Sequence, residues 1–204
     1  MYAFPSVVLY QHDLDSLSPG SWLTDSVLEF WLEYITTDRD MSYLGPSVVH
    51  LIRDSAQNIP IEFLDAKALN EKVILVPIND HQGQESGGSH WSLAVYLRDS
   101  NKWLYYDSMA SNHNTSLAKY TCKKINDYLT GSFDFAQIDI NQQKNNYDCG
   151  LYVILLSEFF TKTQIPREIN FDSNDTRKRI INLIKQVSEK KRLSLFDATV
   201  QQSL

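Results

Sequence analysis

Cysteine is scarce: Cys122 and Cys149 are the only two in 204 residues. That is too few for a disulfide scaffold, and it points to a soluble protein of the reducing cytoplasm or nucleus. Glycine and proline are also sparse, at 7 and 6, which excludes collagen-like and low-complexity chains. Long apolar runs are missing as well; Tyr152 to Leu156 is far too short to cross a bilayer. Met1 to Tyr10 places no Lys or Arg ahead of an apolar stretch, so no secretory signal is read there. What remains is globular, 43% hydrophobic and 22% charged. The length predicts one domain over residues 1–204.

The net charge of −6 is unevenly spread. Residues 1–161 carry 10 basic against 20 acidic side chains, whereas residues 162–204 carry 9 against 5. The acidic body repels nucleic acid and favours a basic partner or peptide. The basic cluster Arg177, Lys178 and Arg179 reads as a solvated helix face, with phosphate contact as the other use. Neither nucleic acid nor membrane is an expected partner.

Local pattern orders the elements. Ser18-Pro19-Gly20 is a turn, after which Thr24 or Asp25 caps a helix with Val27, Leu28, Trp31 and Ile35 on its apolar face. Pro46 and Ser47 start a short helix through Leu51. Lys72 to Ile78 is a continuous β-branched run and reads as a buried strand. His90 to Leu97 and Lys102 to Tyr106 are two further strands, joined at Asp99-Ser100-Asn101 into an antiparallel hairpin. A helix follows over about Ser116 to Leu129, then a strand over Phe133 to Ile140. Cys149 to Phe160 is apolar all round, the mark of a fully buried helix. An amphipathic helix over about Asn174 to Val187 comes last. Without strict βαβ alternation, this order fits an α+β fold rather than a doubly wound one.

The two cysteines differ in setting. Cys122 shares an apolar helix face with Ala118, Ile125 and Leu129, as a small core residue does. Cys149 follows a polar run, Gln142 to Asp148, and opens the buried helix. There the helix dipole and unpaired amides favour a thiolate, and the same amides can stabilise an oxyanion. A buried cysteine starting a core helix is the other use of that position. A nucleophilic thiol needs a base, and the base an orienting group. Of the five histidines, His90 opens a strand directly after the Gly87-Gly88-Ser89 loop. Asp107 ends the next strand, so the hairpin brings the two to the same end. No His or Cys pair has zinc-ligand spacing, and the glycines lead into a strand rather than a phosphate-binding helix. No metal or cofactor is expected.

Three segments together carry a resemblance: Gly88-Ser89-His90-Trp91-Ser92-Leu93, then Tyr106-Asp107-Ser108, then Gln143 to Val153 with Asp148-Cys149-Gly150 at its centre. With Ser21-Trp22-Leu23-Thr24-Asp25 they resemble the Ulp family of ubiquitin-like-protein proteases, over roughly residues 15 to 165. The resemblance implies a papain-like α+β fold with a mixed or antiparallel sheet and the catalytic cysteine at the N-terminus of a buried helix. It implies Cys149 as nucleophile, His90 as general base and acid, Asp107 as the group orienting the imidazole, and Gln143 as side-chain oxyanion donor. Trp22 and Trp91 match the tryptophans that cover the family's tunnel for a Gly-Gly tail, a width only glycines pass. Each alone also suits a plain core aromatic. Asp25 keeps the family acid, expected to meet a basic residue of the modifier's tail. Thr24 departs from the usual Asn but can still cap its helix.

The segment Ile78 to Leu93 carries an insertion before the histidine, as in the deneddylase branch, and the polar, Gly-containing make-up of its His81 to Ser89 loop points to mobility. The resemblance thus implies a monomeric isopeptidase that removes the neddylation modifier from conjugates such as cullins and processes its precursor. A SUMO protease of the same mechanism, an acyltransferase on the same scaffold and an inactive docking module are the competing readings.

Overall fold

The computed structural model describes residues 2–4, 6–56, 59–60, 68–81, 88–129, 131–162 and 165–201. Its frame is a five-stranded mixed sheet in the order β3-β4-β5-β6-β7, with strands Met41–Tyr43 (β3), Val73–Asn79 (β4), Trp91–Leu97 (β5), Lys102–Tyr106 (β6) and Asp134–Ile138 (β7). The central pairs β4–β5 and β5–β6 are antiparallel, whereas both edge strands run parallel to their neighbours. A small hairpin, Tyr2–Ala3 (β1) with Val8–Leu9 (β2), precedes them. The helices are Gln11–Asp15 (α1), Asp25–Thr36 (α2), Pro46–Asp54 (α3), Asn112–Asn126 (α4), Cys149–Phe160 (α5) and Ser173–Gln201 (α6).

Strand alternation sends successive residues to opposite faces, and the two faces carry separate cores. Leu93, Val95, Leu104 and Tyr106 pack with α2, α5 and α6 through Leu28, Trp31, Val153 and Ile180. Ala94, Tyr96, Trp103 and Tyr105 pack with α3 and α4 through Val49, Ile52, Cys122 and Ile125. Helix α5 lies on the central strand β5 with Leu151, Ile154 and Leu156 buried; it is not covered on every side as expected, because Leu155, Glu158 and Phe159 share one half-buried face.

The hairpin β5–β6 and helix α5 stand where the sequence places them. Strand β7 is shorter than the apolar alternation from Phe133 to Ile140, because its partner β6 offers five residues, Lys102 to Tyr106. Helix α4 starts at Asn112, four residues before the expected Ser116, and ends at Asn126 rather than Leu129. Ser111 caps it by accepting from the Asn114 N–H at 3.1 Å, and the first turn is polar. Helix α6 runs well past Val187, since no Gly or Pro follows Pro166 to stop it. Two corrections concern named side chains. Thr24 is the N-cap residue of α2, but its hydroxyl donates to Asp13 Oδ1 at 2.7 Å instead of capping. Arg177 does not belong to a solvated face: it is 1% exposed, whereas Lys178 is solvated and Arg179 pairs with Glu158 at 2.8 Å and lies over the Trp31 ring. Among the described residues no helix is long and apolar enough to cross a membrane.

Candidate active site

The β5–β6 register pairs Leu93 with Tyr106. Extended by one residue it sets Ser92 opposite Asp107, and His90 becomes the diagonal same-face neighbour of Asp107. Their side chains meet: His90 Nε2 donates to Asp107 Oδ1 at 2.6 Å, with both residues buried. Asp107 is held on every side. Its Oδ1 also accepts from the Met109 N–H at 2.8 Å, and its Oδ2 from the Tyr105 hydroxyl at 3.2 Å and Asn114 Nδ2 at 3.1 Å. Burial opposes ionisation of this carboxyl, but the His90 hydrogen bond and charge, with the Met109 and Asn114 donors, hold it below the usual carboxylate range.

The strand carrying His90 is anchored just upstream. Asp80 accepts from the Ser89 N–H at 2.6 Å, the Ser89 hydroxyl at 2.6 Å and the His90 N–H at 3.0 Å. Gly88 has φ +106, and a Cβ there would come within 1.9 Å of Asn79 Oδ1, so only glycine fits. Arg53, itself buried, reaches from α3 to the Asn79 carbonyl at 2.7 Å and to the His81 carbonyl. Most of the insertion, residues 82–87, lies outside the described residues.

Cys149 enters from the other layer. It is the first residue of α5, 2% exposed, at the end of the sheet where the two layers meet. The free ring nitrogen His90 Nδ1 is buried and closes no hydrogen bond, yet the Cys149 sulfur is near enough to act on it. Open contacts of this kind tighten when substrate arrives. Burial lowers the imidazole's proton affinity, but the Asp107 hydrogen bond and the Cys149 sulfur outweigh it and push the ring up to about 9. At neutral pH the ring therefore carries two protons. The arrangement can attack a carbonyl carbon and then hand a proton to the leaving group.

The loop before Cys149 is tied down residue by residue. Gln143 Oε1 accepts from the Ser108 hydroxyl at 2.8 Å, its backbone N–H donates to the Ser108 carbonyl at 2.8 Å, and its Nε2 donates to the Asn145 carbonyl at 2.5 Å. A carbonyl can only accept, so the amide orientation is fixed and one N–H of Gln143 remains. Trp22 is half exposed and donates from Nε1 to the Asn146 carbonyl at 2.7 Å. Trp91 is buried and donates to the Leu23 carbonyl at 3.3 Å. Trp22 thus ties its segment to the cysteine loop, and Trp91 ties the start of β5 to the same segment at Leu23. Asp25 stands at the first turn of α2, where partial burial raises its carboxyl against the pull of His50 and His81. Among the described residues no three His, Cys, Asp or Glu side chains converge as metal ligands.

Sequence reasoning missed the supports: Asn114, Tyr105, Ser108, Asp80 and Arg177. Ser108 and Tyr105 adjoin Asp107 and carry a weak positional signal. Asn114 carries none, since it reaches Asp107 only because α4 begins at Asn112.

Comparison with known proteins gives this geometry its family. Residues 21–192 match the Ulp1 protease family, C-terminal catalytic domain. The chain is 36% identical over 162 residues to sentrin-specific protease 8 of Homo sapiens, covering 74% of this chain and 76% of that protein. It is 32% identical over 161 residues to NEDD8-specific protease 1 of Arabidopsis thaliana, covering 74% and 71%. Among solved structures, the SUMO protease Ulp1 with its catalytic cysteine oxidised to a sulfinic acid superposes with a TM-score of 0.74 at 22% identity. That match covers 91% of this chain and 87% of that one, and it shows a shared fold. The match runs from the Trp22 segment through the His90–Asp107 pair and the Cys149 helix into α6, and the chain belongs to the Ulp1 protease family of cysteine peptidases.

Proposed function

We propose that the chain, as a single catalytic domain over residues 1–204, removes the ubiquitin-like modifier NEDD8 from target lysines and processes its precursor after the C-terminal Gly-Gly. The observation that carries this reading is the likeness to the NEDD8-specific protease and to sentrin-specific protease 8, joined to a thiol and an Asp-bound imidazole at one sheet end. Cys149 Sγ attacks the carbonyl carbon of the terminal glycine. The Cys149 N–H and the remaining N–H of Gln143 receive the oxyanion. His90 passes its proton to the lysine Nζ, the C–N bond breaks, and a thioester is left on Cys149. His90 then takes a proton from water, whose oxygen attacks the thioester and releases the modifier carboxylate. Asp107 orients the imidazole throughout. Trp22 and Trp91 flank the Gly-Gly tail, and Asp25 receives a basic residue of that tail. A monomer acting on cullin conjugates in the cytoplasm or nucleus completes the reading.

The test is kcat/KM on C-terminal fluorogenic conjugates of NEDD8, SUMO and ubiquitin, with Cys149→Ala as blank. A preference of ~100-fold or more for NEDD8, about 2.7 kcal/mol of transition-state discrimination, is expected. A preference for SUMO keeps the mechanism and overturns the modifier. Inactivity on all three returns the acyltransferase and the docking module.

A further inference from the structure

Arg177 is a buried, fully engaged side chain outside the reacting groups. It sits in the second turn of α6, 1% exposed, and its five N–H donors are all engaged. Nη1 donates to the Ser16 and Ser18 carbonyls, each at 3.1 Å. Nη2 donates to the Tyr147 carbonyl at 3.3 Å and to Asp148 Oδ1 at 3.0 Å, and Nε to the Ser173 hydroxyl at 3.3 Å. The guanidinium therefore joins three segments far apart in sequence: the turn before Trp22, the loop before Cys149, and α6 itself.

The contacts propagate to the reacting side. Asp148 accepts from Ser173 Oγ at 2.8 Å and, through Oδ2, from Asn145 Nδ2 at 2.8 Å. Asn145 Oδ1 takes the Tyr147 and Asp148 N–H groups at 3.1 and 3.0 Å, and the Asn145 carbonyl takes Gln143 Nε2 at 2.5 Å. On the other arm, Ser16 and Ser18 lead into the irregular segment whose Trp22 donates to the Asn146 carbonyl. A buried ion pair is a poor device for stability, because desolvation offsets its attraction. Five directed hydrogen bonds to three segments set geometry instead, and only a planar fork reaches them all.

We propose that Arg177 is a positioning residue that clamps the Gln143–Cys149 loop to the Trp22 segment, so that oxyanion donors and tail tunnel keep one register. This rests on the function proposed above, and it gives α6 a part in the reaction it never touches. A misplacement of about 1 Å in such a constellation costs on the order of 100-fold in rate.

The experiment compares wild type, Arg177→Lys and Arg177→Met in three measurements: kcat and KM on a NEDD8 conjugate, hydrogen exchange over residues 16–24 and 143–149, and the pH profile of Cys149 alkylation by iodoacetamide. Alkylation needs the thiol and His90 but neither the oxyanion donors nor the tunnel. Arg177→Lys, which keeps a charge for Asp148 but reaches only one arm, is expected to lose about tenfold in kcat, and Arg177→Met roughly 100-fold. Exchange should quicken in both segments together while α4 and the alkylation midpoint stay as in wild type. A kcat for Arg177→Lys within about twofold of wild type, or exchange that rises in one segment alone, overturns the clamp. So does a kcat loss matched by an equal loss of alkylation, which is general loosening. If Arg177→Met does not fold, the lysine variant decides. A wild-type chain silent on NEDD8, SUMO and ubiquitin overturns the function instead, and the clamp is then judged on the two exchange segments.

Discussion

Cys122 and Cys149 are equally hidden from water, at 0% and 2% exposure, and they stand in opposite settings. Cys122 lies within α4, packed with Ala118, Ile125 and Trp103 in the core between α4 and the sheet. Burial there pushes its thiol well up, and nothing opposes that effect. Cys149 begins its helix, faces an imidazole already committed to Asp107, and follows a loop whose every turn is hydrogen-bonded. Burial alone therefore does not distinguish the two cysteines. The end of the helix and the identity of the neighbour decide, and both follow from where the two layers of the molecule meet.

The comparison breaks most completely at Cys149→Ala. Cleavage of a NEDD8 conjugate is expected to fall by about 10⁴-fold or more, while thermal stability stays within about 1 kcal/mol of wild type, because only one small buried side-chain atom is lost. Iodoacetamide followed by peptide mass mapping should label Cys149 in the folded chain and leave Cys122 unmodified. Labelling of Cys122 at a similar rate would remove the distinction between the two sites.

Asp107→Asn is next. It leaves the shape of the site but removes the charge that holds the ring, and kcat is expected to drop roughly 10²- to 10⁴-fold. The pH profile has a defined sign. His90 must carry a proton to give to the leaving lysine, and its pKa stands at about 9, so kcat/KM on an isopeptide-linked conjugate should fall as pH rises through about 9. Without the Asp107 charge that limb moves down toward the ordinary histidine value of about 6.5. A limb that stays in place would show that Asp107 does not set the ring's affinity. The same shift links to stability: the folded ring holds its proton more tightly than the unfolded one. This contribution is complete below about 6.5 and is lost as pH rises through about 9.

Asn114→Ala removes one acceptor bond from Asp107 Oδ2 and another to the Met109 carbonyl. It is expected to cost about tenfold in kcat/KM and to lower the alkaline limb in the same direction as Asp107→Asn, by less. An unchanged limb with a lower Tm would make Asn114 a support of α4 alone.

The elements that carry Cys149, His90 and Asp107 are legible because they are regular. The hairpin strands are near-continuous apolar runs buried on both faces, α5 is apolar but for Ser157 and Glu158, and each strand end is marked by a turn. The supports are not legible, for a physical reason. Arg177 is written within Arg177-Lys178-Arg179, a run that looks solvated, and its burial depends on carbonyls of Ser16 and Ser18 some 160 positions away. Arg53 is hidden in the same way, since a backbone carbonyl offers no side-chain signature to pair with it. β3 has three residues and no room for a period, and the N-terminal hairpin strands have two each. Short elements and buried cations are settled by tertiary contact, and local pattern does not reach them.

The mildest change sharpens the comparison from the other side. Cys122→Ala deletes one buried sulfur from a core that also holds Ala118 and Ile125. The cavity left is small, so stability should fall by about 1 kcal/mol, read as a modest drop in Tm or urea midpoint with unchanged m. Activity on the NEDD8 conjugate should stay within about twofold, because α4 reaches the site through Asn114 in its first turn, far along the helix from position 122. A larger activity loss at this position would mean that the core between α4 and the sheet sets the Asp107 geometry directly, and the two cysteines would then share one cooperative unit.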